Sequence, residues 1–313
     1  MNQDFYDKLK GIIPEEQILL NEPMSKHTTF RIGGNADMFV SPEITQVSQI
    51  MALAKAYKVP VTIIGNGSNL LVGDKGIRGL VVSFGKAAEY VRLEEKTANE
   101  GNRVDGTCLV AGAGTLLSKI AAEALKNSLT GFEFAAGIPG TLGGALVMNA
   151  GAYGGEMKDV LVSAKVLTNE GDVKTLSAEE LDLSYRHSCI PEKEYIVLEA
   201  TIALEAGYEP AIREMMAEFR NRRIDKQPLE FPSAGSTFKR PEGYFAGKLI
   251  EDAKLRGYAV GGAQVSEKHC GFVVNKGGAT AADVCQLIAD VKQIVYDKFQ
   301  VKMEPEVKMI GEF

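Results

Sequence analysis

The stretch GFEFAAGIPGTLGGALVMNAGAYGG, residues 131–155, decides how this chain folds, because it carries eight glycines in 25 residues. A segment so poor in side chains cannot form a packed core of its own. It favours a loop whose backbone lies close against a ligand. The whole chain has 33 glycines in 313 residues, and they are clustered rather than spread. A purely structural glycine loop, or a series of β-bulges, is the alternative for this stretch.

A second glycine turn, IIGNGSNLL at residues 63–71, follows a predicted strand. Gly65 and Gly67 allow positive φ and leave consecutive backbone N–H groups free to converge on an anion. Ser68 and Asn69 can add side-chain donors. A leucine stands where the third glycine of a dinucleotide-binding GxGxxG motif belongs, and the chain has no GxxxxGK[ST] motif. A plain tight turn is the alternative, but two glycine loops together indicate an extended ligand with a central diphosphate.

Composition excludes several classes of protein. Lys and Arg number 35 against 41 Asp and Glu, a formal net charge of −6, so the chain lacks the basic character that nucleic-acid binding requires. No apolar run approaches the ~18 residues of a membrane span. The first residues are charged and have no apolar signal core, which predicts a cytoplasmic protein. The four cysteines form no CxxC and the three histidines are scattered, so neither a disulfide framework nor a metal site is expected.

The hydrophobic pattern predicts an α+β protein in which helices interrupt a majority of strands. The best-specified element is a long helix that begins at a capping box formed by Thr280 and Asp283. A domain boundary is expected near residues 205–209. Strands are predicted at 36–40, 59–64, 79–84, 108–111, 160–168, 195–204, 271–275 and 301–310, helices at 44–57, 116–126, 210–223 and 247–253, a hairpin loop at 95–106 and a Pro/Gly-rich loop at 227–243.

Taken singly, the remaining polar residues carry little information. Ser236 lies in a loop with prolines at both ends, but no histidine is near it in sequence, so a Ser-His-Asp hydrolase is unsupported. Arg186, Arg223 and Lys226 have solvated cations as their default interpretation, and Glu306 is likewise expected to be solvated on the polar face of the last strand. Composition and spacing alone therefore predict an α+β protein that binds a large phosphorylated ligand.

Seven motifs, in family order, resemble those of the UDP-N-acetylenolpyruvoylglucosamine reductases, the flavoenzymes of bacterial cell-wall precursor synthesis. They are TTFRIGGNAD, IGNGSNLLV, GIPGTLGGALVMNAGAYGGE, SYRHS, AGSTFKRP, AGKLIED and EPEVKMIG, and together they span about residues 29–311. Only 49 residues separate Arg186 from Ser236, so the chain resembles the shorter type of the family, which lacks an extra Tyr-bearing loop over the substrate. Arg240 departs from the family pattern, because some members have Asn there.

The resemblance implies a fold and a reaction. It implies an N-terminal segment at 1–28, a two-part FAD-binding domain of the vanillyl-alcohol-oxidase (PCMH) type at 29–207, and a C-terminal α+β substrate-binding domain at 208–313. It implies bound FAD and NADPH as hydride donor, and reduction of UDP-N-acetylglucosamine enolpyruvate to UDP-N-acetylmuramate, a step of peptidoglycan synthesis that serves cell shape and division. No protein partner is implied. The alternatives are another FAD-dependent oxidoreductase on the same fold and a non-catalytic nucleotide-sugar binding module.

The resemblance also implies roles for single residues. Arg186 and Glu306 stabilise the enolate that forms after hydride transfer, and Ser236 donates the final proton. The FAD contacts that the matching motifs imply are Gly65, Asn66, Gly67, Ser68, Asn69, Gly137, Ile138, Pro139 and Gly144. The implied substrate contacts are Tyr153, Arg223, Lys226, Lys239 and Lys248.

Overall fold

The computed structural model describes residues 2–95 and 107–313. The hairpin loop predicted at 95–106 lies outside the described residues, except for Glu95 at the end of a strand. The helices are α1 (Gln3–Leu9), α2 (Ile44–Tyr57), α3 (Leu117–Lys126), α4 (Leu142–Val147), α5 (Glu209–Lys226), α6 (Ala246–Asp252) and α7 (Ala281–Phe299). The strands are β1 (Leu19–Pro23), β2 (Asn35–Val40), β3 (Val61–Ile64), β4 (Leu70–Val72), β5 (Ile77–Ser83), β6 (Val91–Glu95), β7 (Thr107–Gly112), β8 (Leu129–Thr130), β9 (Gly151–Ala152), β10 (Gly155–Glu156), β11 (Leu161–Leu167), β12 (Val173–Ser177), β13 (Ile196–Ala206), β14 (Ser233–Ser236), β15 (Ala259–Val260), β16 (Ala263–Val265), β17 (Phe272–Asn275) and β18 (Lys308–Ile310).

The chain forms two compact units, and each takes segments that are far apart in sequence. Unit 1 comprises residues 1–18, 40–66 and 82–223, and unit 2 comprises residues 19–39, 67–81 and 224–313. These packing units divide the chain at other positions than the three predicted domains, which stay a prediction. The glycine turn at residues 63–71 is divided between the units, because the unit boundary falls between Asn66 and Gly67.

An antiparallel sheet in the order β12-β11-β13-β7-β6 forms the framework of unit 1, and β8 also pairs with β13. The long strand β13 lies at its centre, where Ala200 stands opposite Ala164 on one side and Ala111 on the other. Helix α4 packs against β13 and β7. Gly143 in α4 allows this close approach, since a Cβ there would lie 3.2 Å from the Cβ of Ala113. The sheet therefore supports the second half of the glycine-rich stretch.

Unit 2 is built around α7 and a four-stranded sheet in the order β14-β17-β16-β15. Its core contains the apolar face of α7, with Val284, Leu287 and Val291 fully buried. The predicted capping box is confirmed: the Asp283 N–H donates to Thr280 Oγ1 and the Thr280 N–H to the Asp283 carboxylate, both at 3.0 Å. Strands β1, β2 and β5 lie side by side, and β18 pairs with β4 in parallel.

Most predicted elements are present, with three corrections. Helix α2 has the predicted bounds, but the strand predicted at 301–310 is wrong apart from β18. Met303 and Val307 are buried as alternation requires. However, Pro305 has no N–H to donate, and the backbone hydrogen bonds on either side of it do not form a continuous strand ladder. The glycine-rich stretch is also more than a loop, because it contains α4 and the short hairpin β9-β10, and the loop predicted at 227–243 contains β14.

The described residues include neither a membrane-spanning helix nor a cluster of metal ligands. Within residues 2–95 and 107–313, no helix has both the length and the apolar character needed to cross a membrane. The same ranges hold no group of three or more His, Cys, Asp or Glu side chains placed to bind a metal ion. The four cysteines, which are all described, form no disulfide, and burial raises the pKa of Cys189, Cys270 and Cys285.

Candidate functional site

The two glycine stretches meet in unit 1. The Asn66 side-chain amide donates a hydrogen bond to the Pro139 carbonyl at 2.6 Å. A Cβ at Gly65 would lie 2.2 Å from Thr141 Oγ1, and one at Gly144 would lie 3.8 Å from the same oxygen. Residues predicted from separate motifs to contact FAD are therefore gathered around one threonine hydroxyl.

Thr141 is buried, with 3 % of its surface exposed, and its hydroxyl has no hydrogen-bond partner among the described residues. The residue is the N-cap of α4, but its side chain makes no capping bond. A buried hydroxyl without a partner costs about 1–3 kcal/mol of stability, so native proteins rarely keep one without a reason. The hydroxyl is thus a hydrogen-bond donor for which the described part of the chain supplies no acceptor.

Gly67, the second glycine of the turn at residues 63–71, lies in unit 2, where the backbone packs closely against it. Its φ is +62°, and a Cβ would lie 2.0 Å from the His27 carbonyl oxygen. Its carbonyl accepts a hydrogen bond from the Thr29 N–H at 3.2 Å. Contact with the chain's own backbone therefore already excludes a side chain at Gly67, without any approach of a diphosphate. Its role toward FAD, like that of Ser68, stays a prediction.

Unit 2 brings the backbone of Glu306 to the strand that carries Ser236. Ser236 is half-buried at the end of β14, after Gly235 with a φ of +76°. The N–H of Glu306 donates to the carbonyl of Thr237 at 2.8 Å. The Asn69 amide donates to the Glu306 carbonyl at 3.2 Å, so a predicted FAD residue holds the backbone of the same residue. Two predicted catalytic residues are therefore neighbours across adjacent backbone segments.

The remaining predicted lysines also lie in unit 2. Lys239 is held beside the same segment, since its N–H donates to the Glu304 carbonyl at 2.9 Å and its ammonium lies 3.4 Å from the Glu304 carboxylate. Lys248 pairs with Asp252 one turn further along α6, and that hydrogen bond raises the pKa of Lys248. Lys226 is exposed at the end of α5.

Arg186 lies in unit 1, on a tight turn. Ser184 and His187 exchange backbone hydrogen bonds of 3.2 and 3.1 Å, and Arg186 between them has a φ of +56°. The neighbouring Glu156 has a pKa below its ordinary value, mainly because Lys158 donates a hydrogen bond to it. The amide of Asn149 and the positive charge of Arg186 lower that pKa further. Arg186 thus stands in a charged environment that includes an ionised carboxylate.

In unit 1, helix α5 carries Phe219, which contacts Tyr153, and Arg223, which lies beside Gly137. The rings of Tyr153 and Phe219 are stacked with centroids 4.4 Å apart and planes 8° apart, and the Tyr153 hydroxyl donates to the Phe219 carbonyl at 3.0 Å. The Arg223 guanidinium lies 3.5 Å from where a Cβ of Gly137 would be. Burial lowers the pKa of Arg223. A partly desolvated cation therefore lies beside the second glycine loop.

Comparison with known proteins identifies the family. Residues 36–177 match the model of an FAD binding domain, and residues 227–310 match that of the UDP-N-acetylenolpyruvoylglucosamine reductase C-terminal domain. The UDP-N-acetylenolpyruvoylglucosamine reductase of Agathobacter rectalis is 60% identical over 314 residues, covering 100% of both chains. The protein belongs to the UDP-N-acetylenolpyruvoylglucosamine reductase family.

Other members of this reductase family agree. The reductase of Caldanaerobacter subterraneus is 51% identical over 313 residues and 100% of both chains. The crystal structure of the reductase from Thermus caldophilus superposes with a TM-score of 0.75 at 33% identity, covering 93% of this chain and 97% of that one. The predicted fold class is confirmed: a PCMH-type FAD-binding domain and a C-terminal reductase domain in an α+β protein. As a family member the protein is an oxidoreductase of peptidoglycan precursor synthesis.

The residues of unit 1 fit the flavin that an FAD-binding domain implies. The Thr141 hydroxyl lacks an acceptor, and the backbone at Gly65 and Gly144 comes close to it. The half-buried Arg223 guanidinium beside Gly137 supplies positive charge on the same loop. A diphosphate offers acceptor oxygens and negative charge, which both features require.

Three residues with a place in this arrangement were missed in the sequence: Thr141, Phe219 and Asn149. Thr141 had a signal, since it is a hydroxyl side chain in a stretch nearly free of polar side chains. Asn149 had the same signal, since it is a polar side chain in that stretch. Phe219 had none, because its partner Tyr153 is 66 residues away.

Proposed function

We propose that this reductase uses NADPH to convert UDP-N-acetylglucosamine enolpyruvate into UDP-N-acetylmuramate with bound FAD. The observation that carries the proposal is the 60% identity, over the full length of both chains, to a protein named as a UDP-N-acetylenolpyruvoylglucosamine reductase. The chemistry that FAD supplies when bound is hydride acceptance from NADPH and hydride delivery to the enolpyruvyl methylene carbon.

In this proposal the two glycine stretches hold the flavin. Gly65 and Gly144 leave backbone exposed to its diphosphate, and Thr141 donates a hydrogen bond to a diphosphate oxygen. Arg223 contributes positive charge from the side of Gly137. The orphaned Thr141 hydroxyl supports this assignment, because an acceptor at that place removes the cost of burying it.

Arg186 and Glu306 act on the substrate after hydride transfer. The carbon next to the methylene then carries negative charge, delocalised as an enolate into the carboxylate. Arg186 offers a fixed positive charge, and a protonated Glu306 offers a hydrogen-bond donor, as carboxylic acids do in other sites that stabilise enolates. Electrostatic stabilisation of this kind is usually the largest single contribution to such a reaction.

Ser236 completes the reaction as general acid. Its hydroxyl proton moves to the carbanionic carbon, the C–H bond forms, and the serine oxygen regains a proton from solvent. The position supports this role. Gly235 has open space around it, and Ser236 directly precedes Thr237, whose carbonyl accepts the hydrogen bond from the Glu306 N–H. We further propose that the protein is of the shorter family type, because only 49 residues separate Arg186 from Ser236.

The proposal is tested with the purified protein under anaerobic conditions. The purified protein should show the absorbance spectrum of oxidised flavin. NADPH should bleach this absorbance, and addition of UDP-N-acetylglucosamine enolpyruvate should restore it. The product should be two hydrogen atoms heavier than that substrate. Recovery that needs oxygen and ignores the enolpyruvyl substrate would instead favour an oxidase on the same fold. A colourless protein that binds nucleotide sugars without bleaching would favour a binding module.

A further inference from the structure

Asn149 occupies the centre of a hydrogen-bond network that the proposed reaction does not yet use. The residue is fully buried and has a φ of +40°. Its amide nitrogen donates to the Ser184 carbonyl at 3.1 Å and to Glu156 Oε2 at 3.0 Å, and its side-chain oxygen accepts from the Lys158 N–H at 2.9 Å. One buried side chain thus connects the end of α4, the segment after β10 and the turn before residue 188.

The first of these bonds determines where the Arg186 turn lies. Ser184 is the residue whose backbone closes the turn with His187, so a bond to its carbonyl fixes the turn at its base. The Ser188 hydroxyl, which donates to the Val147 carbonyl at 2.9 Å, fixes the other end. Because Arg186 has a positive φ, its conformation depends on such surrounding contacts.

The second bond holds the carboxylate of Glu156. Glu156 is bonded to Asn149 and lies 2.9 Å from the Lys158 ammonium, and the positive charge of Arg186 contributes to the lowered pKa of that carboxyl. The same amide group therefore bonds both to the backbone of the Arg186 turn and to a carboxylate whose pKa the charge of Arg186 lowers.

We propose that Asn149 is a positioning residue for Arg186, which it places for the enolpyruvyl half-reaction. This inference rests on the proposed role of Arg186. Asn149 itself touches no reacting atom, so its removal misplaces a charge and leaves the chemistry otherwise intact. Misplacement of a positioned group by about 1 Å can lower a rate by about 10²-fold.

The test is Asn149→Asp in the flavin-loaded enzyme. Asp has the same shape and tolerates a positive φ, but it cannot donate to Ser184 or Glu156. Reoxidation of the reduced flavin by the enolpyruvyl substrate should slow by about 10²-fold, while reduction by NADPH stays near the wild-type rate.

A matched control is Asn127→Asp, at the C-cap of α3 in the same unit. Asn127 also donates to one backbone carbonyl, at 2.8 Å, and one glutamate carboxylate, at 3.0 Å, both of Glu123. It should leave both half-reactions unchanged. Where Asn149→Asp yields too little folded protein, Asn149→Ser keeps one donor at the position and should show the same selective slowing to a smaller degree.

A double-mutant cycle with Arg186→Ala separates positioning from a merely structural role. If Asn149 acts through Arg186, Asn149→Asp should add little slowing once Arg186 is gone. Equal slowing of both half-reactions, or the same slowing in both backgrounds, would overturn the inference. If Arg186→Ala alone left reoxidation unchanged, the proposed role of Arg186 would fail instead, and the two failures are thus distinguishable.

Discussion

Replacing Thr141 by Val should raise the free energy of unfolding of the flavin-free protein and weaken its binding of FAD. Val has nearly the shape of Thr and replaces only the hydroxyl by a methyl group. Thr141 has extended backbone angles, φ −92° and ψ 160°, which a β-branched residue adopts easily, and its side chain makes no capping bond that would be lost. The substitution therefore removes one buried oxygen and little else.

The size of each effect follows from the state of that oxygen. Without flavin the hydroxyl is buried and has no partner in the described part of the chain, so its removal should raise the free energy of unfolding by about 1–3 kcal/mol. If the hydroxyl donates to a charged diphosphate oxygen, losing that bond should weaken binding by about 1.5–3 kcal/mol. At about 1.4 kcal/mol per factor of ten, the Kd for FAD should rise roughly 10- to 150-fold.

Urea unfolding of the flavin-free protein and titration of flavin fluorescence measure these two quantities. Thr115→Val is the matched control, because Thr115 is equally buried in unit 1 but its hydroxyl is satisfied, donating to the Tyr90 carbonyl at 2.8 Å and accepting from the Tyr90 N–H at 3.1 Å. That variant should lose stability and keep its affinity for FAD. A Thr141→Val protein that is less stable and binds FAD as tightly as the wild type would refute the reasoning.

Three further predictions follow from the same contacts. Gly65→Ala should lower the free energy of unfolding by about 1–3 kcal/mol, and Thr141→Ala should relieve that loss in a double-mutant cycle, because the next contact of the new Cβ is 3.5 Å away. Arg186→Ala should slow flavin reoxidation by the enolpyruvyl substrate by about 10²-fold or more and leave reduction by NADPH unchanged in stopped-flow traces; equal slowing of both would indicate a structural role. The lowered pKa of Glu156 means that its carboxylate stabilises the fold above the pKa of the unfolded chain and loses this effect as pH falls through the folded value. The stability difference between wild type and Glu156→Gln should therefore shrink as the pH falls below the ordinary pKa of a glutamate; a difference that stays constant on acidification would contradict it.

The sequence predicts helices better than it predicts why particular residues are needed. α2 and α7 have one apolar face, and α7 has a capping box, so both are specified by neighbours within a few residues. The strand predicted at 301–310 is wrong because alternating burial at Met303 and Val307 arises without a continuous hydrogen-bond ladder. On either side of Pro305, the backbone makes single hydrogen bonds to the segment after β14: the Glu304 carbonyl accepts from the Lys239 N–H, and the Glu306 N–H donates to the Thr237 carbonyl.

The candidate site shows the same limit. Gly65 and Gly67 were both recognisable as special, yet one is close to the Thr141 hydroxyl and the other to the His27 backbone, and only the folded chain distinguishes the two reasons. Asn149 and Ser184 are 35 residues apart, so no local pattern connects the glycine-rich stretch to the Arg186 turn. Motif matching finds the residues that can do chemistry, whereas tertiary contacts determine which residues place them.

Rapid mixing of reduced Ser236→Ala protein with UDP-N-acetylglucosamine enolpyruvate tests the central claim most directly, because it isolates the step that needs a proton at carbon. A positioned general acid contributes about 10²–10⁴-fold, so the variant should bind FAD, be reduced by NADPH at close to the wild-type rate, and form product slower by at least that factor, with Ser236→Cys recovering part of the loss. Product formation at the wild-type rate, with normal stereochemistry, would contradict the account and remove Ser236 from the reaction.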